Sequence, residues 1–273
     1  MRRIPISVFT FTFLYSMNYT LITGASKGLG RAFAYACANR KMNVLLVARS
    51  MDLLESLAEE LRKMNVEVRT YACDLRHPIA PEMLFNWIAQ EGLHVNMLIN
   101  NAGIGFYGQF EQQNLEKHLE VMRLNMDVMV QMAHRFLNNS LGGQRRYLLN
   151  VSSLGAYLPV PYMAVYAASK AFMLSFSNAI RYELKEQNVF VTALCPGGVT
   201  TDFFSPAQME EIAKRTAKFM DSPDFVAEKA LEALLKNKRE VVPGILNALG
   251  AQLSKRMPQD LVIAQAGNMY KPR

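Results

Sequence analysis

Short apolar runs alternate with helical patterns along most of this 273-residue chain, and that alternation restricts the fold more than any single motif does. The runs Tyr19–Thr23, Val44–Ala48, Val66–Ala72, Met97–Asn100, Tyr147–Val151 and Val189–Cys195 read as buried strands. Between them helices are expected near Gly28–Asn39, Met51–Met64, Pro81–Gln90, Leu115–Leu137 and Ala164–Glu186. Strands joined by helical crossovers pair in parallel, and a parallel sheet needs cover on both faces. The expected class is therefore α/β, a doubly wound parallel sheet forming one domain. No repeat, low-complexity tract or Gly/Ser linker divides the chain, and 51% hydrophobic content supplies one full core.

After Cys195 the alternation lapses. Residues 203–220 read as an amphipathic helix offering Phe203, Phe204, Met209, Ile212 and Phe219 to an apolar surface. This segment either completes the core or forms a lid over a substrate cleft, since α/β sites lie beyond the carboxyl ends of strands. A helix start at Ser222-Pro223 and a last strand in "REVVPG" follow.

Residues 1–16, "MRRIPISVFTFTFLYS", have the basic start and apolar stretch of a secretory signal. They lack a small-residue cleavage pattern, and the apolar run is too short to span a bilayer. The plainer expectation is an untranslated extension with Met17 as the start, leaving residues 17–273 as the domain. A signal or membrane anchor, or an extra strand or arm, are the alternatives. The net charge of +7 comes from dispersed Lys and Arg, which fits a solvated surface and not a nucleic-acid footprint. Cys37, Cys73 and Cys195 are odd in number and widely spaced, which points to a reducing, cytoplasmic setting with no membrane attachment expected. His77, His94, His118 and His134 show no metal-ligand spacing, so no metal site is expected.

"TLITGASKGLGRAF" sets Gly24, Gly28 and Gly30 between the first strand and the first helix. Glycines there permit a tight turn and let a pyrophosphate approach the backbone at a helix N-terminus. No Gly-Lys-Ser/Thr closes the loop, which points to a dinucleotide and away from an ATPase. The second strand ends in Arg49 and Ser50 where an NAD-binding fold presents an acid to the ribose. A guanidinium binds a 2′-phosphate that a carboxylate would repel, and Lys27 adds a second cation. NADP(H) is favoured, with NAD(H) as the alternative; either cation alone would equally suit a solvated surface.

"SSLGAYLPVPYMAVYAASK", residues 152–170, holds three tyrosines, and only Tyr166 has a basic residue one helical turn away, at Lys170. A phenol has a pKa of about 10, so it needs help to exchange protons near neutrality. An ammonium on the same helix face would lower that pKa. A lone Y-x-x-x-K also describes a buried helix with a snorkelling lysine, so the pair counts only in company.

With these residues assembled, the chain resembles the short-chain dehydrogenase/reductase family over residues 19–203. Thr23-Gly24-x-x-x-Gly28-x-Gly30 is similar to its cofactor loop, and Tyr166-x-x-x-Lys170 to its signature. Asp74 in "CDL" matches the residue that binds the adenine amino group. "NNAG", Asn100 to Gly103, matches the motif closing the fourth strand against the cofactor, and Asn125 in "RLNMD" the catalytic asparagine. "PGGVTT", Pro196 to Thr201, is similar to the segment over the nicotinamide. The family's serine precedes its tyrosine by thirteen residues, which selects Ser153 over Ser152.

The resemblance implies an NADP(H)-dependent oxidoreductase that moves hydride between the cofactor and a carbonyl or secondary alcohol. The implied catalytic set is Asn125, Ser153, Tyr166 and Lys170. Ser153 and Tyr166 would donate to the carbonyl oxygen, Lys170 would lower the Tyr166 pKa and bind the nicotinamide ribose, and Asn125 would hold a relay water. Cofactor contacts are implied for Gly24, Ser26, Lys27, Gly28, Leu29 and Gly30, then Arg49, Ser50, Asp74 and Leu75. Asn101, Ala102, Gly103, Tyr166, Lys170, Pro196, Gly197, Val199 and Thr201 complete that set. Gly105, Phe106, Tyr107, Leu154, Tyr157, Tyr162 and the 203–220 segment suggest a pocket for an apolar small molecule. A non-catalytic dinucleotide sensor and a membrane-associated lipid or acyl carbonyl reductase are the competing readings. The resemblance implies a homodimer or homotetramer built on helices 115–137 and 164–186; Met122, Met126, Met129, Met132, Phe172 and Phe176 would permit it, with buried core the default reading for any one of them.

Overall fold

The structure, a computed structural model, describes residues 18–139, 143–200 and 220–271. The N-terminal extension, Thr201 and all but the last residue of the expected 203–220 helix lie outside the described residues. The first half runs β1 (Asn18–Thr23), α1 (Gly28–Asn39), β2 (Asn43–Ala48), α2 (Met51–Arg62), β3 (Val68–Ala72), α3 (Ala80–Gln90) and β4 (His94–Asn100). Then come α4 (Leu115–Met122), α5 (Met129–Asn138), β5 (Arg146–Val151), α6 (Ala164–Glu183) and β6 (Val189–Leu194). Two-residue strands β7 (Gly198–Val199) and β8 (Met220–Asp221), α7 (Pro223–Leu235), β9 (Glu240–Val241), α8 (Ile245–Ser254) and α9 (Gln259–Tyr270) complete the chain.

Seven parallel strands form one sheet in the order β3-β2-β1-β4-β5-β6-β9. The chain winds outward from β1 to β3, then crosses back to place β4 on the other side of β1. The carboxyl ends of β1 and β4 therefore flank the switch point, where open α/β sheets hold ligands. Strand periodicity divides the core. Val44 and Leu46 pack with Phe33 of α1, Leu57 of α2 and Leu231 of α7. Leu45 and Val47 pack on the opposite face with Leu84 of α3, Met132 and Phe136 of α5 and Val191 of β6. Two buried layers on one sheet make this the doubly wound fold that the alternation predicts.

The sequence departs from its expected elements where local chemistry intervenes. The helix expected over 115–137 is two helices joined by a π-helical stretch, Arg123–Val128, that contains Asn125. The expected 164–186 helix ends at Glu183 and tightens into a 3₁₀ turn at Lys185–Gln187, after which Asn188 takes the left-handed conformation at φ 55°. Ser222 accepts from the Phe225 amide and Pro223 opens α7, as the start signal indicates. Met129 and Met132 are fully buried core residues, the default reading for any one of these side chains, whereas Met122 and Phe172 are exposed.

Gly30 shows how tightly the first turn is built. A Cβ at that position would come 2.1 Å from the Gly24 carbonyl oxygen. Gly250 of α8 has no atom within 4 Å of the same position. Gly30→Ala should therefore cost about 1–3 kcal/mol and lower the melting temperature by several degrees. Gly250→Ala should raise stability by about 0.5–1 kcal/mol, because alanine loses less backbone entropy in a helix. Thermal unfolding of both variants checks the pair.

Candidate active site

The switch point is held by Thr23. Its hydroxyl oxygen accepts from the Asn101 and Ala102 amides, each at 2.9 Å. The Asn101 side-chain amide returns the link, donating to the Thr23 carbonyl at 2.9 Å and toward the Gly24 carbonyl at 3.4 Å. Gly24 and Gly28 both have positive φ, 65° and 52°. A Cβ on Gly24 would meet Asn101 Nδ2 at 3.0 Å and Ala102 Cα at 3.1 Å, so only glycine fits that bend without strain. Lys27 precedes α1 in extended conformation and makes no side-chain cap, which leaves the first amides of α1 unclaimed by any capping side chain. Such a helix N-terminus beside a backbone cradle suits a pyrophosphate.

The other expected cofactor positions divide. Ser26, Gly28 and Leu29 are half-buried, whereas Lys27 and Arg49 are exposed cations beside the glycine turn. Ser50 accepts from the Leu53 amide and so caps α2, a role the sequence reading did not give it. Asp74 is gripped by Arg76, whose Nε and Nη2 lie 3.0 and 2.7 Å from its carboxylate oxygens; Arg76 also reaches Glu120. That guanidinium holds the Asp74 carboxyl below the usual range, with Arg49 adding to the effect. The Arg76 backbone amide also donates to the Asp74 carboxylate at 3.0 Å, so both of its oxygens are engaged. Leu75 is buried core, so its side chain packs rather than binds. The Leu154 amide donates to the Pro196 carbonyl at 2.8 Å, tying the Ser153 turn to the Pro196–Val199 segment.

Tyr166, Ser153, Lys170 and Asn125 converge at the ends of β4 and β5. The Ser153 hydroxyl hydrogen-bonds the Tyr166 phenol and accepts from the Gly155 amide. Lys170 is buried, at 3% exposure; its Nζ donates to the Val151 carbonyl at 2.9 Å and lies 5.7 Å from the Tyr166 ring centre. Ser152 donates to the Lys170 carbonyl at 2.7 Å. A Cβ on Gly103 would meet both Asn125 Oδ1 at 3.2 Å and Lys170 Nζ at 3.4 Å, so that glycine lets the two side chains face one another.

Burial and local hydrogen bonds set the character of these groups. Burial pushes the Tyr166 phenol up to about 12 despite the lowering influence of the Ser153 hydroxyl. Burial also pushes the Lys170 ammonium down to about 8. Both charged forms are penalised because both groups sit away from water. The Asn125 side chain is engaged by protein: it accepts from the Ile104 amide at 2.9 Å and donates to the Ile104 carbonyl and to Ser169 Oγ at 2.8 and 3.1 Å. Those bonds fix the chain after β4. Placement within a π-helical stretch is itself a frequent mark of a functional position.

A cavity beside Tyr166 is lined by Phe106, Phe110, Val121, Met163 and Val165, with Gly108, Gln113, His118, Tyr162 and Ala164. Phe106 and Tyr162 were expected there; Gly105, Tyr107, Leu154 and Tyr157 do not line it. Tyr107 instead donates to the Tyr270 carbonyl at 2.6 Å, and Tyr270 joins Tyr166 around Val160, Met163 and Ala167. Phe110, Gln113, His118, Val121 and Tyr270 escaped the sequence reading because no motif marks them; only the loop and the last helix bring them close.

A family model described as short chain dehydrogenase matches residues 18–212. The chain belongs to that family. It is an oxidoreductase family acting on CH–OH groups. Among relatives, the chain is 27% identical over 245 residues to a very-long-chain 3-oxoacyl-CoA reductase of Rattus norvegicus, covering 87% of this chain and 76% of that one. It is 31% identical over 214 residues to a 17-beta-hydroxysteroid dehydrogenase type 3 of Homo sapiens, covering 77% and 68%. A short-chain dehydrogenase from Sphingobium yanoikuyae solved in complex with NADPH superposes with TM-score 0.77 at 27% identity, over 94% of this chain and 96% of that one. Among the described residues no helix is long and apolar enough to cross a membrane.

The separated pKa values give a pH signature. Tyr166 stays protonated until about 12, whereas Lys170 loses its charge as pH rises through about 8. The kcat/KM for the nicotinamide cofactor, which reports the free enzyme, should fall with rising pH with a midpoint near 8. Lys170→Arg keeps the charge across that range, so whatever activity it retains should lack the limb.

Proposed function

We propose that this protein is an NADP(H)-dependent oxidoreductase that interconverts an apolar ketone or aldehyde and its alcohol. The observation that carries the reading is the joined Ser153–Tyr166 pair with buried Lys170, Tyr166 itself lining a largely apolar cavity. Bound NADP(H) supplies or accepts the hydride. The α1 N-terminus with Gly24, Ser26, Gly28, Leu29 and Gly30 would hold the pyrophosphate, and Asp74 with the Leu75 backbone the adenine. Asn101, Ala102, Gly103, Pro196, Gly197 and Val199 would lie along the nicotinamide half.

Ser153 and Tyr166 donate to the carbonyl oxygen as negative charge develops, and Tyr166 transfers its proton. Lys170, buried and charged below about 8, favours the phenolate that this transfer creates and binds ribose hydroxyls. Asn125 holds Ile104 and Ser169, and through them the Tyr166 turn, because Ser169 donates to the Tyr166 carbonyl at 2.7 Å.

Arg49 and Lys27 support the phosphorylated cofactor, since no acid stands at the end of β2 to repel a 2′-phosphate. The cavity of about 30 Å³ admits about one or two waters as it stands, so a larger substrate must move its walls. The 3-oxoacyl and steroid chemistries of the relatives are the two apolar carbonyl classes to try first. Leu115, Leu119 and Met122, one exposed stripe of α4, together with exposed Phe172 of α6 support self-association into a homodimer or homotetramer. Three free cysteines fit a reducing, cytoplasmic setting.

Two variants test this reading. Tyr166→Phe should abolish turnover on a panel of steroid ketones and 3-oxoacyl thioesters while NADPH binding, read by fluorescence titration, stays near wild type. Retained turnover would overturn the catalytic assignment. Arg49→Glu should weaken NADPH binding roughly 10–100-fold, the worth of a charge-assisted bidentate contact, and leave NADH little changed. Equal losses for both cofactors would overturn the NADP(H) preference.

A further inference from the structure

Helix α8 buries the wrong residues for an ordinary amphipathic helix. Asn247 is 7% exposed and Ala251 is buried beside it, whereas Ile245, Leu246, Leu249 and Leu253 are exposed. The contacts of Asn247 explain its burial. Its amide lies so close to Gly197 that a Cβ there would come 2.6 Å from Nδ2 and 2.8 Å from Oδ1. Its Nδ2 donates to Asp221 Oδ2 at 2.9 Å. Asp221 belongs to β8, pairs with Val199 of β7, and accepts at its carbonyl from the Thr200 amide at 3.1 Å. On the far side Gly244, at φ 78°, opens α8; a Cβ there would come 2.9 Å from Asp221 Oδ2 and 3.1 Å from Asn247 Nδ2. One amide and one carboxylate are thus clamped between two glycines, joining α8, β8 and the Pro196–Val199 segment.

We propose that Asn247 is a positioning residue for the nicotinamide half of the cofactor site, setting the height of Gly197 through its contact and its bond to Asp221. This rests on the reading of Pro196–Val199 as the nicotinamide segment. The Asn247 amide touches the backbone that would carry the ring, so its loss lets Gly197 shift, and a displacement of an ångström at a reacting centre is costly. The side chain must be short, planar and a donor: Asp fits the shape but faces the Asp221 carboxylate with a like charge.

Asn247→Asp should raise the KM for NADPH about tenfold or more and lower kcat, with the KM for the carbonyl substrate little changed. Asp221→Asn combined with Asn247→Asp rebuilds the bond in reverse, the new amide donating to the new carboxylate, and should restore the cofactor KM to near wild type. A merely structural role predicts lower stability without that selective, reversible change. If Asn247→Asp does not fold, Asn247→Ser is read instead and should show the same cofactor-specific rise. A single variant kinetically equal to wild type, or a double variant no better than the single, overturns the proposal while wild-type NADPH turnover leaves the functional reading standing. A wild-type protein that binds neither NADPH nor NADH overturns that reading and this proposal together.

Discussion

The site depends on how the ends of β1 and β4 are joined. Thr23 is fully buried, and its hydroxyl oxygen takes two successive amides from the chain leaving β4. Two parallel strands at a switch point have no ladder partner beyond their carboxyl ends, so one side chain supplies the missing acceptor. From that joint a line of close backbone approaches runs in both directions. Gly24 presses on Asn101 and Ala102, and Gly30 presses on the Gly24 carbonyl, which places the start of α1. In the other direction Gly103 lies against Asn125 and Lys170. The cradle and the chemical groups are therefore set by one joint, without a loop able to adjust between them.

Burial then gives those groups their character. An ammonium taken out of water is costly, and Lys170 recovers part of that through the Val151 carbonyl. Its displacement toward about 8 and that of Tyr166 toward about 12 have the same origin but opposite sign, since burial disfavours each charged form. A phenolate and an ammonium formed side by side are neutral as a pair, so proton loss from Tyr166 is easiest while Lys170 is charged. Charged Lys170 thus favours the phenolate against the burial that raises the Tyr166 pKa, and Tyr166, protonated at rest, can serve as a proton donor.

Much of the fold was legible because its signals are local. The apolar runs mark six of the strands, and the glycine turn, "NNAG" and Tyr166-x-x-x-Lys170 lie on continuous stretches whose spacing sets their geometry. The misses share a physical cause. The break in the 115–137 helix at Arg123–Val128 does not appear in apolar periodicity, which a π-helical turn interrupts by a single residue. Ser50 reads as a cofactor contact, and its further role as the cap of α2 shows only once its Leu53 partner is in place. Asp74 reads as free until Arg76 folds back on it. Strands β7 and β8 are two residues each and, among the described residues, pair with one another alone, too short for any pattern.

Helix α8 shows the limit most plainly. Reading its sequence "ILNALGAQLS" by hydrophobic spacing turns Ile245, Leu249 and Leu253 inward and Asn247 outward. The structure has the reverse, with Asn247 packed against Gly197. A leucine in the place of Asn247 would drive branched methyl groups into a space where even one added carbon on Gly197 has no room, and it would leave the Asp221 carboxylate without its donor. A close backbone approach and the bond to Asp221 thus accompany the inward turn of Asn247. Such a preference belongs to two segments fifty residues apart and is written in neither of them, which is why residues after the last motif can shape a site whose motifs all lie before them.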